Sequence, residues 1–169
     1  MTTELATAAA TSPSLVWSEE LVLGLPAIDQ THVEFVELLA ATEMADDDQL
    51  LQRLQALTDH TVDHFGREDQ WMAATAFGPV NCHGLQHRVV LQTLDELLRR
   101  GHEEGDLALV RSILPELGKW FAQHAQTMDA ALAWHLDQVG FDESTGQMSR
   151  PPSTEAPAES GCGSSSCAS

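Results

Sequence analysis

The sequence predicts an all-α fold, an up-down-up-down four-helix bundle, and three observations lead to it. Apolar residues recur at helical spacing in four stretches, no run of alternating apolar and polar residues is long enough for a strand, and the links between the stretches are short. Short links between long helices make consecutive helices antiparallel neighbours. With 169 residues, 43% of them apolar, the chain has material for one sizeable core rather than two.

The first helix is expected to begin near Asp29, a side chain suited to cap it after Pro26. It puts His32, Val36 and Leu39 on one face and ends around the acidic run Asp46, Asp47 and Asp48. The second places Leu50, Leu54, Leu57, Thr61, His64 and Glu68 along one stripe and stops near Ala74. A loop containing Gly78 and Pro79 leads to the third helix, where His83, His87, Val90, Leu94 and Leu97 share a face until Gly101. The fourth follows Gly105 and carries Leu117, Trp120, Phe121, His124 and Leu132, with Pro115 either kinking or restarting it. Trp71, Met72, Trp120, Phe121 and Trp134 are expected in the core.

These helices define a folded domain over residues 15–141, between a small, polar N-terminus (1–14) expected to be flexible and a Ser/Pro/Gly-rich segment (142–169) expected to be a disordered tail. The 26 acidic side chains against 8 Lys and Arg give a formal net charge of −18. That balance argues against a nucleic-acid partner and mildly favours a monomer through self-repulsion. No apolar run approaches the ~18 to 20 residues that span a bilayer, so no membrane association is expected. The first residues lack the basic start and apolar stretch of an export signal, so the expected location is the cytoplasm. Of the three cysteines, Cys162 and Cys167 fall in the tail and are read as inert, so no disulfide framework is expected. Cys82 reads as a small buried hydrophobe rather than a ligand.

Each helical stripe also carries groups that are costly to bury unless paired or bound. His32 lies near the start of the first helix, His64 and Glu68 near the end of the second, His83 and His87 at the start of the third, and His124 and Asp129 late in the fourth. In an antiparallel bundle all seven fall at one end. Residues four apart are separated by about 400° of rotation, so His64 with Glu68, and His83 with His87, project from nearly one face. His124 and Asp129 are five apart, an offset of roughly 140°, so they either straddle two ions or need a π-type bulge to align them. His60, one turn before His64, is read as a core or supporting histidine. His102 is expected to be solvated in a loop, and His135, roughly 16 Å along the axis from His124, too distant to ligate.

Five imidazoles and two carboxylates exceed the needs of one tetrahedral zinc, and this donor mixture suits iron better than calcium or magnesium. Two irons are the simplest answer. Two carboxylates can bridge a pair of ions, and five histidines then fill terminal positions, leaving one place vacant for an exogenous molecule if a solvent-derived oxygen also bridges.

With these residues in view, the chain resembles the hemerythrins, especially the bacterial single-domain hemerythrins. The likeness spans roughly residues 17–137: Trp17, the segments GLPAIDQTH and HFGREDQWM, His83 with His87, and KWFAQHAQTMD. The resemblance implies an oxo- or hydroxo-bridged di-iron centre in which His83, His87 and His124 hold one iron, His32 and His64 the other, and Glu68 and Asp129 bridge. O2 would bind reversibly at the open position of the second iron, for storage, delivery or sensing, without turnover; another small diatomic or anionic ligand is the alternative occupant. Trp120, Phe121 and Ala125 become candidate pocket walls. The family usually has a larger aliphatic residue in place of Ala125 and a glutamine in place of Thr31, which puts the contacts around His32 in question. Competing roles are nitric oxide or peroxide handling, or iron donation for iron-sulfur cluster repair. A ferritin-like oxidase is disfavoured, because no glutamate has a histidine three residues later and the chain has no tyrosine.

Overall fold

The computed structural model describes residues 12–78 and 82–150. Four long helices form the expected bundle: α1 (Pro26–Glu43), α2 (Asp47–Ala74), α3 (Cys82–Glu104) and α4 (Leu107–His124). A π-helical turn (Ala125–Asp129) carries α4 into α5 (Ala130–Val139). α1 packs on α2 and α2 on α3, and α4 closes the ring against α3 and α1. A 3-10 turn (Glu19–Leu21) precedes the bundle, and a hairpin of β1 (Phe141–Asp142) and β2 (Gln147–Met148) follows it, with Phe141 opposite Met148. No helix among the described residues is long and apolar enough to cross a membrane.

Several helix ends depart from expectation where side chains find other partners. α1 starts at Pro26, where a missing N–H is harmless. Asp29 is not its cap: from inside the helix its carboxylate accepts hydrogen bonds from Leu23 N at 2.7 Å and Gly24 N at 3.0 Å, tying down the incoming chain. α1 ends before the acidic run, which instead opens α2 with Asp47 and Asp48 in its first turn, where the helix dipole favours carboxylates. Gly101 does not end α3. The helix runs to Glu104 and stops at Gly105, whose φ of +68° suits glycine. At Gly101 a Cβ would run into the Leu51 side chain of α2, so this glycine serves close packing. α4 runs through Pro115 without restarting, and the Asp106 side chain caps it by accepting from Leu109 N at 3.1 Å.

Two apolar clusters fill the interior. The larger includes Phe35, Leu39, Leu54, Leu57, Leu94, Leu114 and Phe121; the smaller consists of Ile28, Met72, Leu132, Ala133 and Leu136, with Trp71 packed against it. Ile28 lies one turn before His32, Met72 one turn after Glu68, and Leu132 just beyond Asp129, so the polar groups singled out from the sequence occupy the layer between the clusters. Trp134 is not in the core. α5 turns Leu132, Ala133 and Leu136 inward, which leaves Trp134 outward and 58% exposed. His102 sits in the last turn of α3 rather than in a loop, and is exposed.

Residues 142–150, grouped by composition with the tail, form the hairpin and its return. Ser149 N and Arg150 N donate to Gly140 O and Val139 O at 3.1 and 3.0 Å, docking the segment on the end of α5. Residues 1–11 and 151–169, with Cys162 and Cys167, lie outside the described residues. Asp29→Ala removes two charge-assisted bonds and is expected to cost about 1–2 kcal/mol, a fall in Tm of roughly 3–6 °C by thermal denaturation followed by circular dichroism, with secondary structure retained.

Candidate metal centre

The four helices bring the seven predicted donors into one buried layer. α1 supplies His32, α2 His64 and Glu68, α3 His83 and His87, α4 His124, and the π-turn Asp129; every one of them is at most 2% exposed. Of the two arrangements that the His124–Asp129 spacing allowed, the bundle uses the bulge. The wider π-turn swings Asp129 under His124, with His124 Nε2 3.1 Å from Asp129 Oδ1.

The donors form two overlapping groups. In one, atoms of Glu68, His83, His87, His124 and Asp129 lie within 4.8 Å of one another; in the other, atoms of His32, His64, Glu68 and Asp129 do. Both carboxylates belong to both groups. Glu68 reaches His64 Nε2 at 3.1 Å with Oε1, and His83 Nε2 and His87 Nε2 at 3.4 and 3.3 Å with Oε2. Asp129 reaches His83 Nε2 at 2.9 Å with Oδ1 and His32 Nε2 at 3.1 Å with Oδ2.

Several of these contacts are short without being hydrogen bonds. His32 Nε2, Glu68 Oε2 and both Asp129 oxygens have no hydrogen-bond partner among the described residues, although neighbours stand about 3 Å away. Their lone pairs point at shared space instead of at each other. The clearest case is His87 and His124. His87 Nδ1 donates to Asp69 Oδ1 at 3.0 Å and His124 Nδ1 to Gln86 Oε1 at 2.9 Å. In a neutral ring that places the proton on Nδ1, so the two Nε2 atoms face each other as bare acceptors at 3.3 Å. Buried acceptors left without donors are costly, and a cation among them removes the cost. The residues therefore fit a metal.

The electrostatics agree. Burial and the neighbouring Asp129 push the Glu68 carboxyl up, but imidazoles that can donate to it, His64 and His83, outweigh them and hold it well below the usual range. Burial likewise pushes Asp129 up, and imidazoles able to donate to it, His32 and His83, bring it well below. Burial disfavours the charged form of His83, yet Asp129 and Glu68 overcome this and raise it to about 9, whereas burial prevails at His124 and lowers it. Two buried carboxylates thus stay ionised and attract positive charge.

Aromatic rings wall the layer. Phe121 sets its edge against His32 at 5.1 Å between centroids and stacks on Phe35 at 3.9 Å. Phe65 stacks on His87 at 3.9 Å. Trp120 stacks on His124 at 4.5 Å, which puts it on the three-histidine side, away from His32 and His64; Ala125 is fully buried at the start of the π-turn. His60 stays outside both groups, donating through Nε2 to Thr31 O at 3.2 Å, and His135 donates to Thr75 O at 3.1 Å. Thr31, the departure beside His32, is held locally: its hydroxyl donates to Ala27 O at 2.7 Å and accepts from Arg67 Nη2 at 3.0 Å. Sequence reasoning missed Asp69 and Gln86. The available signal was position, since each adjoins a predicted donor and is turned about 100° from it, toward the neighbouring helix.

A family model described as the hemerythrin HHE cation binding domain matches residues 23–133. A bacteriohemerythrin of Ralstonia nicotianae is 41% identical over 130 residues, covering 77% of this chain and 94% of that protein. One from Stenotrophomonas maltophilia is 25% identical over 142 residues, and one from Pseudomonas paraeruginosa 24% over 143, each covering 78% of this chain and 90% of the relative.

Filling this layer is expected to stabilise the fold. Anaerobic Fe(II) at 100 times its Kd contributes about 2.7 kcal/mol, and a calorimetric Tm should rise by roughly 5–10 °C. Glu68→Ala or Asp129→Ala should abolish most of that rise, since each removes a donor from both groups.

Proposed function

The chain belongs to the hemerythrin family of non-haem iron-binding proteins, and from that premise we propose that it holds two irons and binds O2 reversibly, for storage, delivery or sensing, with no chemical turnover. The observation that carries this reading is the sharing of Glu68 and Asp129 by both donor groups. Shared carboxylates serve two adjacent ions. His83, His87 and His124 would complete one ion, and His32 and His64 the other. With the same oxygen donor from solvent, the second ion would be one donor short of the first, so an exogenous ligand would enter on the two-histidine side.

Iron, when bound, supplies the electrons that O2 draws on in binding and returns on release. The chain's own residues make the exchange reversible by controlling what else enters. Phe121, set edge-on against His32, and Phe35, stacked behind it, both fully buried, keep that side apolar, which excludes water and small anions that compete for the vacancy. Trp120 and Phe65 press on His124 and His87 and hold the saturated side rigid. Ala125, buried in the same apolar cluster as Phe35 and Phe121, presents only a methyl group, so this part of the wall is thin. We read the protein as a monomer, on the self-repulsion of its net charge of −18.

Anaerobic reconstitution with Fe(II), iron counting, and absorption spectra before and after O2 is admitted and removed test the proposal. Two irons per chain and a visible band that comes and goes with O2 are expected. Immediate oxidation without a stable adduct would turn the reading toward turnover or iron donation, and fewer than two irons would undo the donor assignment. Ala125→Ile thickens the wall and should slow autoxidation, read from the decay of that band, at a stability cost of about 1–3 kcal/mol for overpacking. An unchanged decay would mean that this wall does not gate oxidation.

A further inference from the structure

The three-histidine side has an asymmetry that its donor count hides. The partner of His87 Nδ1 is a carboxylate, Asp69, whereas that of His124 Nδ1 is a neutral amide, Gln86. The surroundings of the two partners differ to match. Asp69 is 49% exposed and keeps much of its hydration while its Oδ1 receives the buried imidazole. Gln86 lines a cavity of about 390 Å³ between α3 and α4, where most of the lining is apolar and one carboxylate, Glu116, is already present. A second carboxylate there would face mostly apolar side chains and add to the charge of Glu116. On the other side of the centre, His32 Nδ1 and His64 Nδ1 have no hydrogen-bond partner among the described residues.

We propose that Asp69 is a positioning residue that makes His87 a more electron-donating imidazole than His124, while Gln86 orients His124 without adding charge. A carboxylate accepting the Nδ1 proton draws it away from the ring and raises the electron density at Nε2, the atom aimed at the metal. An amide fixes the tautomer and ring plane but transfers less density. Phe65, stacked on His87 with the planes 6° apart, keeps that ring in line with Asp69. The consequence is that the metal held by His83, His87 and His124 favours the oxidised state more than the donor count alone would give. This inference rests on the di-iron reading, and its test is built so that the two can fail separately.

The metal-free protein gives the first readout. Nitrogen-15 NMR of the imidazoles should show His87 protonated at Nδ1 with a strongly deshielded proton, and Asp69→Asn should move that proton upfield while leaving His124 unchanged. The second readout is the reduction potential of the iron-loaded protein by spectroelectrochemistry. Asp69→Asn, which keeps an acceptor and removes the charge, should raise it by the equivalent of about a tenfold change in relative affinity for the two iron states, close to 59 mV per electron. Asp69→Glu should restore most of the wild-type value. Gln86→Met should leave the potential near wild type but release iron to a chelator about tenfold faster, as a ligand that has lost its orienting partner. A His87 proton on Nε2, or equal potentials in wild type and Asp69→Asn with both holding two irons, would overturn the inference and leave the di-iron reading standing. Failure of the wild type to hold two irons while the NMR result holds would overturn that reading and with it the electronic consequence, though not the Asp69–His87 pairing.

Discussion

Everything in this bundle is arranged around the burial of seven ionisable groups in a single layer. Five imidazoles and two carboxylates removed from water form a heavy burden for a domain of this size, because each charge or lone pair must find a partner inside. The imidazoles partly meet that need by holding Glu68 and Asp129 ionised. They do not meet it completely, since the facing Nε2 atoms of His87 and His124 repel and several oxygens point into shared space. The apolar clusters on either side supply the counterweight. The larger core provides the hydrophobic drive, and the smaller one seals the layer from the end of the bundle.

The π-turn is where backbone and chemistry meet. An ordinary helix from His124 would aim residue 129 well away from it, and only a locally widened turn carries Asp129 beneath the imidazole. Such turns are less stable than α-helix, so the contact that Asp129 makes with three histidines is the compensation that holds this one. Its neighbours confirm the fit: Ala125 is fully buried at its start, and Leu132 anchors the helix beyond it in the smaller cluster.

Beyond the donors, hydrogen bonds reach outward unevenly. His87 and His124 are each gripped through Nδ1 by a side chain of a neighbouring helix, Asp69 of α2 or Gln86 of α3. Near His32, support comes through its neighbour: the Thr31 hydroxyl engages Ala27 O and Arg67 and its carbonyl His60, which orients the helix turn rather than the ring itself. A rigid three-histidine side beside a less constrained two-histidine side suits a centre in which one metal position stays saturated and the other exchanges a ligand.

Helical periodicity and short links were enough to read the bundle, because a stripe of apolar residues every three to four positions has only one compact solution when consecutive helices are antiparallel. The same stripes exposed the seven donors, since polar residues in register with Leu54, Val90 or Leu117 have nowhere to go but inside. Ends and partners were less legible. Gly101 reads as a stop, yet serves contact with Leu51; Asp29 reads as a cap, yet binds the loop before it; Trp134 reads as core, yet faces out. In each case the deciding neighbour lies elsewhere in the chain or on another helix. Sequence by itself determined the bundle and the residues of its polar layer, because both follow from periodicity along one chain. The tertiary structure alone decided that the turn after His124 widens and that Asp69 and Gln86 stand behind the histidines, because these depend on distances between helices that no local pattern encodes.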